Sequence, residues 1–482
     1  MNLTRRTFLA AAGLGALGLT GCGNTPMLEL LTLAKPALGK CLAPASDLVD
    51  LESHTLSRLS FGMRPGDYDR IQALGIEQYV EEQLKPESID DSACDQLVRR
   101  FEALNAPLGE LFEYRDGLLL QELTRATLLR AVYSERQLYE VMVEFWSDHF
   151  NISIFKGDCP WLKVADDRDV IRKHALGSFR ELLRASALSP AMLWYLDGRV
   201  NQKANDDEHP NENYARELLE LHTLGVHGGY TQHDVMEVAR CLTGWTVRSD
   251  ELFFKGRVEF KKFRHDDGEK TVLGETIPAG LGEGDLDRVL DLVVKHPSTS
   301  NYLSQKLCRR FIGDGVDEAT IHQVATAFAD SDGDIKTTLR AVIRTDAFQH
   351  SRGTKFKRPF RFLASALRAT NAQTTAEEAV IDSLMRMGHL PFQYPTPDGY
   401  PDESEPWTGT LLWRWRAVNA LCENKAQDVT VDWEELLNAY GAEDSLAAHF
   451  LGRTPNQTER NALSKSGLGP VALLASPAFQ RF

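Results

Sequence analysis

The sequence predicts a mainly α protein, one large multi-helix body carrying a small β-hairpin insertion near residues 246–273. Three observations carry this. Apolar residues recur at three- and four-residue spacing through most of the chain beyond Asp47, the mark of helices that bury one face. One stretch, Leu252 to Phe263, abandons that period, alternates around Gly256 and runs into a polar turn, as a hairpin does. A chain of 482 residues, 43% hydrophobic and 26% charged, is long enough to bury a sizeable core.

The elements are taken in order. Met1 to Leu9 holds the adjacent pair Arg5-Arg6 and leads into the small, apolar run Ala10–Thr20, so residues 1–21 are expected to be a twin-arginine leader. That run is shorter than the roughly 20 residues a spanning helix needs. Leu19-Thr20-Gly21-Cys22 has the small residues before a cysteine that lipoprotein processing requires, so Cys22 is the expected lipidation point and mature N-terminus. The expected location is the periplasmic face of a membrane, lipid-anchored, with the outer membrane favoured because Gly23 replaces an aspartate. Residues 22–50, rich in Pro, Ala and Leu without a sustained period, are expected to form a tether, and 51–482 a single helical domain.

Within the body the periodicity predicts helices near 67–84, 91–104, 116–150, 168–187, 211–224, 232–243, 284–295, 298–312, 317–330, 334–346, 359–370, 376–387 and 408–421. Gly225 is placed to end one helix as a C′ glycine, and Thr231 with Asp234 to open the next with a capping box. Five prolines between 391 and 406 rule out a helix there and predict a long shaped loop.

Charge and cysteines narrow the function. A formal net charge of −15, with no basic block outside the leader, argues against nucleic acid as a partner. Six further cysteines are scattered without a C-x-x-C pair, against zinc ribbons, iron–sulfur clusters and c-type haem. Mostly free, buried thiols are expected, with at most one or two bridges. Outside the leader, whose Gly13-Leu-Gly-Ala-Leu-Gly18 follows no predicted strand, there is no G-x-G-x-x-G, and no Walker A, H-E-x-x-H, G-x-S-x-G or EF-hand pattern is present.

The densest polar run is His209 to Gly225. On a helix, Asn213, Glu217 and Glu220 fall within an arc of about 40°, with Arg216 and then Glu212 further round, while His222 points to the opposite, apolar side. Glu-x-x-Glu-x-His therefore does not form one metal site. The stripe is either a functional pair of carboxylates or a salt-bridged face. On the next helix Glu237 and Arg240 share a face with His233. His265-Asp266-Asp267-Gly-Glu-Lys270 offers histidine, carboxylate and lysine from one loop, and His149 closes the helix before Phe150. The loop Pro395 to Pro401, with Trp407, Trp413 and Trp415, has the aromatics a cleft uses, or that pack a long loop down.

Phe145-Trp146 with His149-Phe150, Ser189 to Asp197, Asn211 to Gly225, Asp234-Val with Thr243-Gly-Trp245, His265-Asp266 and Pro397 to Tyr400 together closely resemble the bacterial family called domain of unknown function 1800, over roughly Ser57 to Ala420. The resemblance implies a large, mostly helical exported protein, often encoded beside a second twin-arginine-exported family, domain of unknown function 1501. It implies no mechanism. It does place Asn211, Glu212, Asn213, Arg216, Glu217, Glu220, His222, Asp234, Glu237, His265 and Asp266 on motif positions.

Two functions follow as expectations. One is an enzyme acting on envelope or imported polymers, with Glu217, Glu220, His265 and Asp266 as catalytic candidates. It would work either as a carboxylate acid/base pair or with a divalent metal on His149, Glu212, Glu217, Glu220 and Glu237. The other is a non-catalytic lipoprotein that binds or assembles its neighbour-encoded partner. Convergence of these side chains on one accessible cavity favours the enzyme; pairing with arginines inside the body favours the scaffold.

Overall fold

Helix breaks in this chain are set by residues that satisfy backbone groups locally, and they subdivide what the periodicity reads as continuous. In the computed structural model, which describes residues 27–35, 37–204, 209–249, 254–466 and 469–482, the run 116–150 becomes Asp116–Tyr133 and Gln137–His149. Ser134 between them is extended, and its hydroxyl donates to the buried Asp91 carboxylate at 2.7 Å. Likewise 67–84 splits at Gly75, whose φ of 82° no β-carbon-bearing residue adopts readily. The expected 168–187 helix is a π-turn at Asp167–Arg172 followed, after a break, by Phe179–Ala187.

The fold is mainly α, 58% helical, with three two-stranded antiparallel sheets among the described residues. β1 (Trp245–Val247) pairs with β2 (Val258–Phe260), and β3 (Lys270–Val272) with β4 (Glu275–Ile277). Leu273 and Gly274, both with positive φ, make the two-residue turn of the second hairpin. The β insertion thus spans 245–277, slightly wider than expected. A third pairing, β5 (Gln373–Thr374) with β6 (Val429–Thr430), had no signal in the sequence.

The helices that carry the functional residues are α1 (Leu51–Leu59), α2 (Gln137–His149), α3 (Asn213–Glu220), α4 (Gln232–Cys241), α5 (Gly284–Lys295), α6 (Pro297–Phe311), α7 (Pro359–Ala369) and α8 (Glu443–Leu451). The Thr231–Asp234 capping box is present in full at the start of α4. A continuous apolar core runs from Leu30 to Phe479.

The expected tether needs correction. Met27–Ala34 is helical, its Leu30, Leu31 and Ala34 are buried in the core, and it packs on Ser92–Arg99. Further on, Lys35 pairs with Glu435 and the Cys41 amide donates to the Ala439 carbonyl. Its apolar residues are too few and too close to show a period, so only the packed structure shows where they go. No helix among the described residues is long and apolar enough to cross a membrane. Cys22 and the leader lie outside the described residues; the other six cysteines are free, four of them buried.

Candidate functional site

The polar run of 211–225 divides between surface, rim and interior. Asn213 donates from its amide to the Leu196 carbonyl at 3.1 Å, fixing the start of α3. Glu212 is bound up with Arg216 at 3.0 Å and Gln232 at 2.7 Å, an exposed cluster. Glu220 accepts from the Tyr230 hydroxyl at 3.2 Å. Glu217 is half-buried, and no described residue donates a hydrogen bond or forms an ion pair to its carboxylate. Burial, then Glu220, raise its pKa against the opposing pull of Arg216, and the exposed Asp398 adds a smaller push in the same upward direction. A carboxyl that gains proton affinity from burial and like charge is a candidate for proton transfer.

Beneath this rim, α2 and α6 bring a lysine and a histidine together. Lys306 donates to His149 Nδ1 at 3.0 Å, and His149 Nε2 lies 3.1 Å from the His222 carbonyl, so Nε2 carries the hydrogen. Burial and the Lys306 ammonium hold His149 far below the ordinary histidine range. Part of the Lys306 side chain reaches solvent, but its ammonium is enclosed by protein, and desolvation brings its pKa down to about 8 against the pull of Asp148. His222 is buried with neither ring nitrogen bonded among the described residues, and burial pulls it down to about 3. It faces the apolar side as the periodicity predicts, without the partner a structural histidine usually finds. Tyr302 walls the same space, its ring against Gly225, where a β-carbon would approach Cδ2 to 2.9 Å. A cavity of about 240 Å³ opens here, lined among others by His149, Tyr302, Lys306 and Asp398.

Asp398 reaches this cleft because the proline-rich loop is nailed down on both sides. Asn151 donates to the Tyr394 and Thr396 carbonyls at 3.1 and 2.7 Å, and the Tyr195 hydroxyl to Pro395 at 2.8 Å. Gly399, at φ 75°, passes so close to α2 that a β-carbon would sit 2.1 Å from the Asp148 carbonyl oxygen. The loop's aromatics mainly pack it down: Trp407 is buried, stacks on His389 and donates to the Pro401 carbonyl at 3.0 Å. Trp415 is exposed.

The second predicted group forms a separate, internally paired knot. Arg240 forks onto Glu237 at 2.8 and 3.0 Å and onto Asp266 at 2.7 and 3.1 Å. Glu237 also accepts from the Thr271 amide, and Asp234 from the Leu273 amide at 2.7 Å, so α4 holds both ends of the β3 edge. His265 is buried; its Nδ1 donates to the Thr243 carbonyl at 2.9 Å and its Nε2 lies 3.3 Å from Asp285 on α5. Lys270 pairs with the same Asp285 at 2.5 Å. The structure does not join His265 and Asp266 to Glu217 and Glu220 as expected: Asp266 is held by the Arg240 guanidinium, and His265 lies between the Thr243 carbonyl and Asp285.

The metal set is corrected on the same grounds. Glu237 is committed to Arg240, Glu212 to Arg216 and Gln232, and His149 to Lys306. Among the described residues no three histidine, cysteine, aspartate or glutamate side chains are placed to hold a metal ion. The donors do not fit one.

A family model described as "Protein of unknown function (DUF1800)" matches residues 54–481. The chain belongs to this family. The match extends past the Ala420 boundary drawn from motifs, and so takes in the C-terminal helices that pack beside α1 and α7. No curated protein and no solved structure matches the chain. Within the family's motif positions the structure separates two kinds of residue: Glu217 and Glu220, half-buried on α3 within electrostatic reach of Asp398 and Tyr302, and Asp234, Glu237, His265 and Asp266 in the knot that fixes the β insertion. Lys306 and Tyr302 were missed because each is an ordinary residue of an amphipathic helix, and only the packing of α6 against α2 gives them neighbours.

Proposed function

We propose that the cleft between α3, α6 and the 394–402 loop is an acid–base site that cleaves or rearranges a polymer of the cell envelope or one taken up from outside. The observation that carries this reading is Glu217, a half-buried carboxyl without a hydrogen-bonding partner among the described residues, raised by burial and by Glu220. Glu237 and Asp266 are paired with Arg240; Glu217 is left available to a ligand. In this reading Glu217 exchanges a proton with the substrate at the rim. Lys306, with a pKa of about 8, supplies a second proton carrier or a positioned amine at the floor, and His149 orients it.

The reading includes export by the twin-arginine route and lipid anchoring at Cys22, which rest on the leader alone. The second reading, a scaffold for a domain of unknown function 1501 protein, is favoured by the arginine pairing of Glu237 and Asp266. The test incubates wild type and Glu217→Gln with fractionated envelope polymers and polysaccharides and follows released fragments by mass spectrometry. Wild type should release products that the variant does not; identical profiles across the fractions would overturn the acid–base reading.

A further inference from the structure

Away from that cleft, α1, α7, α8 and the 478–482 segment enclose a cavity of about 600 Å³, within the size range of small-molecule sites. Its electrostatics oppose those of the protein as a whole. The chain carries a formal charge of −15, yet no aspartate or glutamate lines this cavity, while Arg352, Lys357, Arg361, Arg453 and Arg481 do. Of these, Arg453 alone has an ion-pair partner among the described residues, Glu459 at 2.8 Å.

Two of the cations are deep. Arg361 is buried on α7; one of its terminal nitrogens donates to the Ser57, Arg58 and Ser60 carbonyls, and the other, Nη1, has no partner among the described residues. Lys357 is buried, donates to Ser365 Oγ at 2.8 Å and lies 3.8 Å over the Phe479 ring. Phe482 lies under Arg361 at 3.9 Å. Arg352 and Arg481 are exposed at the mouth, each held by a backbone carbonyl: Arg352 donates to Gln349 at 2.8 Å and Arg481 to Thr354 at 2.8 Å. Burying a cation without a counter-charge is expensive, and a buried guanidinium with a free N–H edge is a group shaped for carboxylate or phosphate oxygens.

We infer that this cavity binds a small organic anion, its phosphate or carboxylate head held by Arg361 and Lys357 and its apolar body against Phe61, Phe479 and Phe482. Desolvation and the neighbouring Arg361 and Arg414 push Lys357 far below the ordinary lysine range, a penalty that a bound anion relieves. The aromatic wall distinguishes the site from one for a bare inorganic ion. It shares no lining residue with the cavity beside His149 and Lys306.

The test is a thermal-shift and calorimetric titration of the full-length protein with phenyl phosphate, benzoate, inorganic phosphate and, as the uncharged control, phenol, all at fixed ionic strength. Phenyl phosphate or benzoate should raise Tm by about 1–2 °C at roughly tenfold excess over Kd, more than inorganic phosphate does, and phenol should not. Comparing the two organic anions separates a phosphate head from a carboxylate head. Lys357→Met should fold at least as stably as wild type, because it removes a buried, unpaired cation, and should weaken binding roughly tenfold or more. Arg481→Gln, a surface change that leaves the core intact, should weaken it several-fold. The inference is overturned if none of the anions shifts Tm beyond the phenol control, or if both variants bind as wild type does.

Discussion

Gly399→Ala tests how the cleft is assembled, because one methyl group lands on the contact that brings Asp398 to the rim. The added β-carbon would stand 2.1 Å from the Asp148 carbonyl oxygen, well over about 1 Å inside ordinary contact. That oxygen belongs to the last turn of α2, which the core holds through Phe145 and Trp146 and which cannot recede. Alanine at φ 75° also meets an intrinsic penalty of about 1 kcal/mol. If instead the loop lifts away, it forfeits the two Asn151 hydrogen bonds and that of Tyr195, each worth about 1 kcal/mol. By either route the loss of stability is about 2–4 kcal/mol. Urea denaturation measures it, with Gly409→Ala as control, since no neighbour lies within 4 Å of that position. A stable variant within about 0.5 kcal/mol of wild type would refute the reasoning. Carbon-detected NMR of the Glu217 carboxyl gives a second readout: displacing Asp398 removes one of the charges that raise its pKa, so the titration should move toward lower pH.

Glu217→Gln should raise Tm at pH 7. A raised carboxyl pKa means that the folded state holds the proton more tightly, so stability falls as pH climbs through that range, and the variant is spared this fall. The advantage should vanish near pH 4; a large loss at pH 7 would show that the carboxylate is structural. Lys306→Met should likewise hold or gain stability at neutral pH, and the difference should shrink as pH rises from about 8 toward the ordinary lysine range, which melting curves across pH can follow. Arg240→Met should behave oppositely, leaving Glu237 and Asp266 without a cation and costing about 2–4 kcal/mol by chemical denaturation, with no response to EDTA before or after. Cys22→Ser should move the protein from the membrane to the soluble fraction on cell fractionation; retention would count against lipid anchoring.

What the sequence determined by itself is what depends on near neighbours along the chain. Helical content, the Thr231–Asp234 cap, the positive φ at Gly225, the non-helical proline-rich loop and the place of the β insertion all follow from spacing and from single-residue backbone preferences. The geometry of α3 likewise put Glu217 and Glu220 on one side and His222 on the other. What only tertiary structure decided is which charges find partners. Glu217 and Glu237 look alike as glutamates on amphipathic helices, yet Glu237 accepts two hydrogen bonds from Arg240 and one from the Thr271 amide, while Glu217 has no hydrogen-bonding partner among the described residues and is governed by burial and Glu220. The Lys306–His149 contact joins residues 157 positions apart, and the Asp398 approach needs a loop whose close pass at Gly399 appears only against α2. The cation-lined cavity is the extreme case, since Lys357 and Arg361 read as an ordinary helix start, and a lining without aspartate or glutamate among the described residues is a property of the packed neighbours. Hydrogen bonds and Coulomb forces act over a few ångströms in space, and the chain fixes those distances only once the helices have docked.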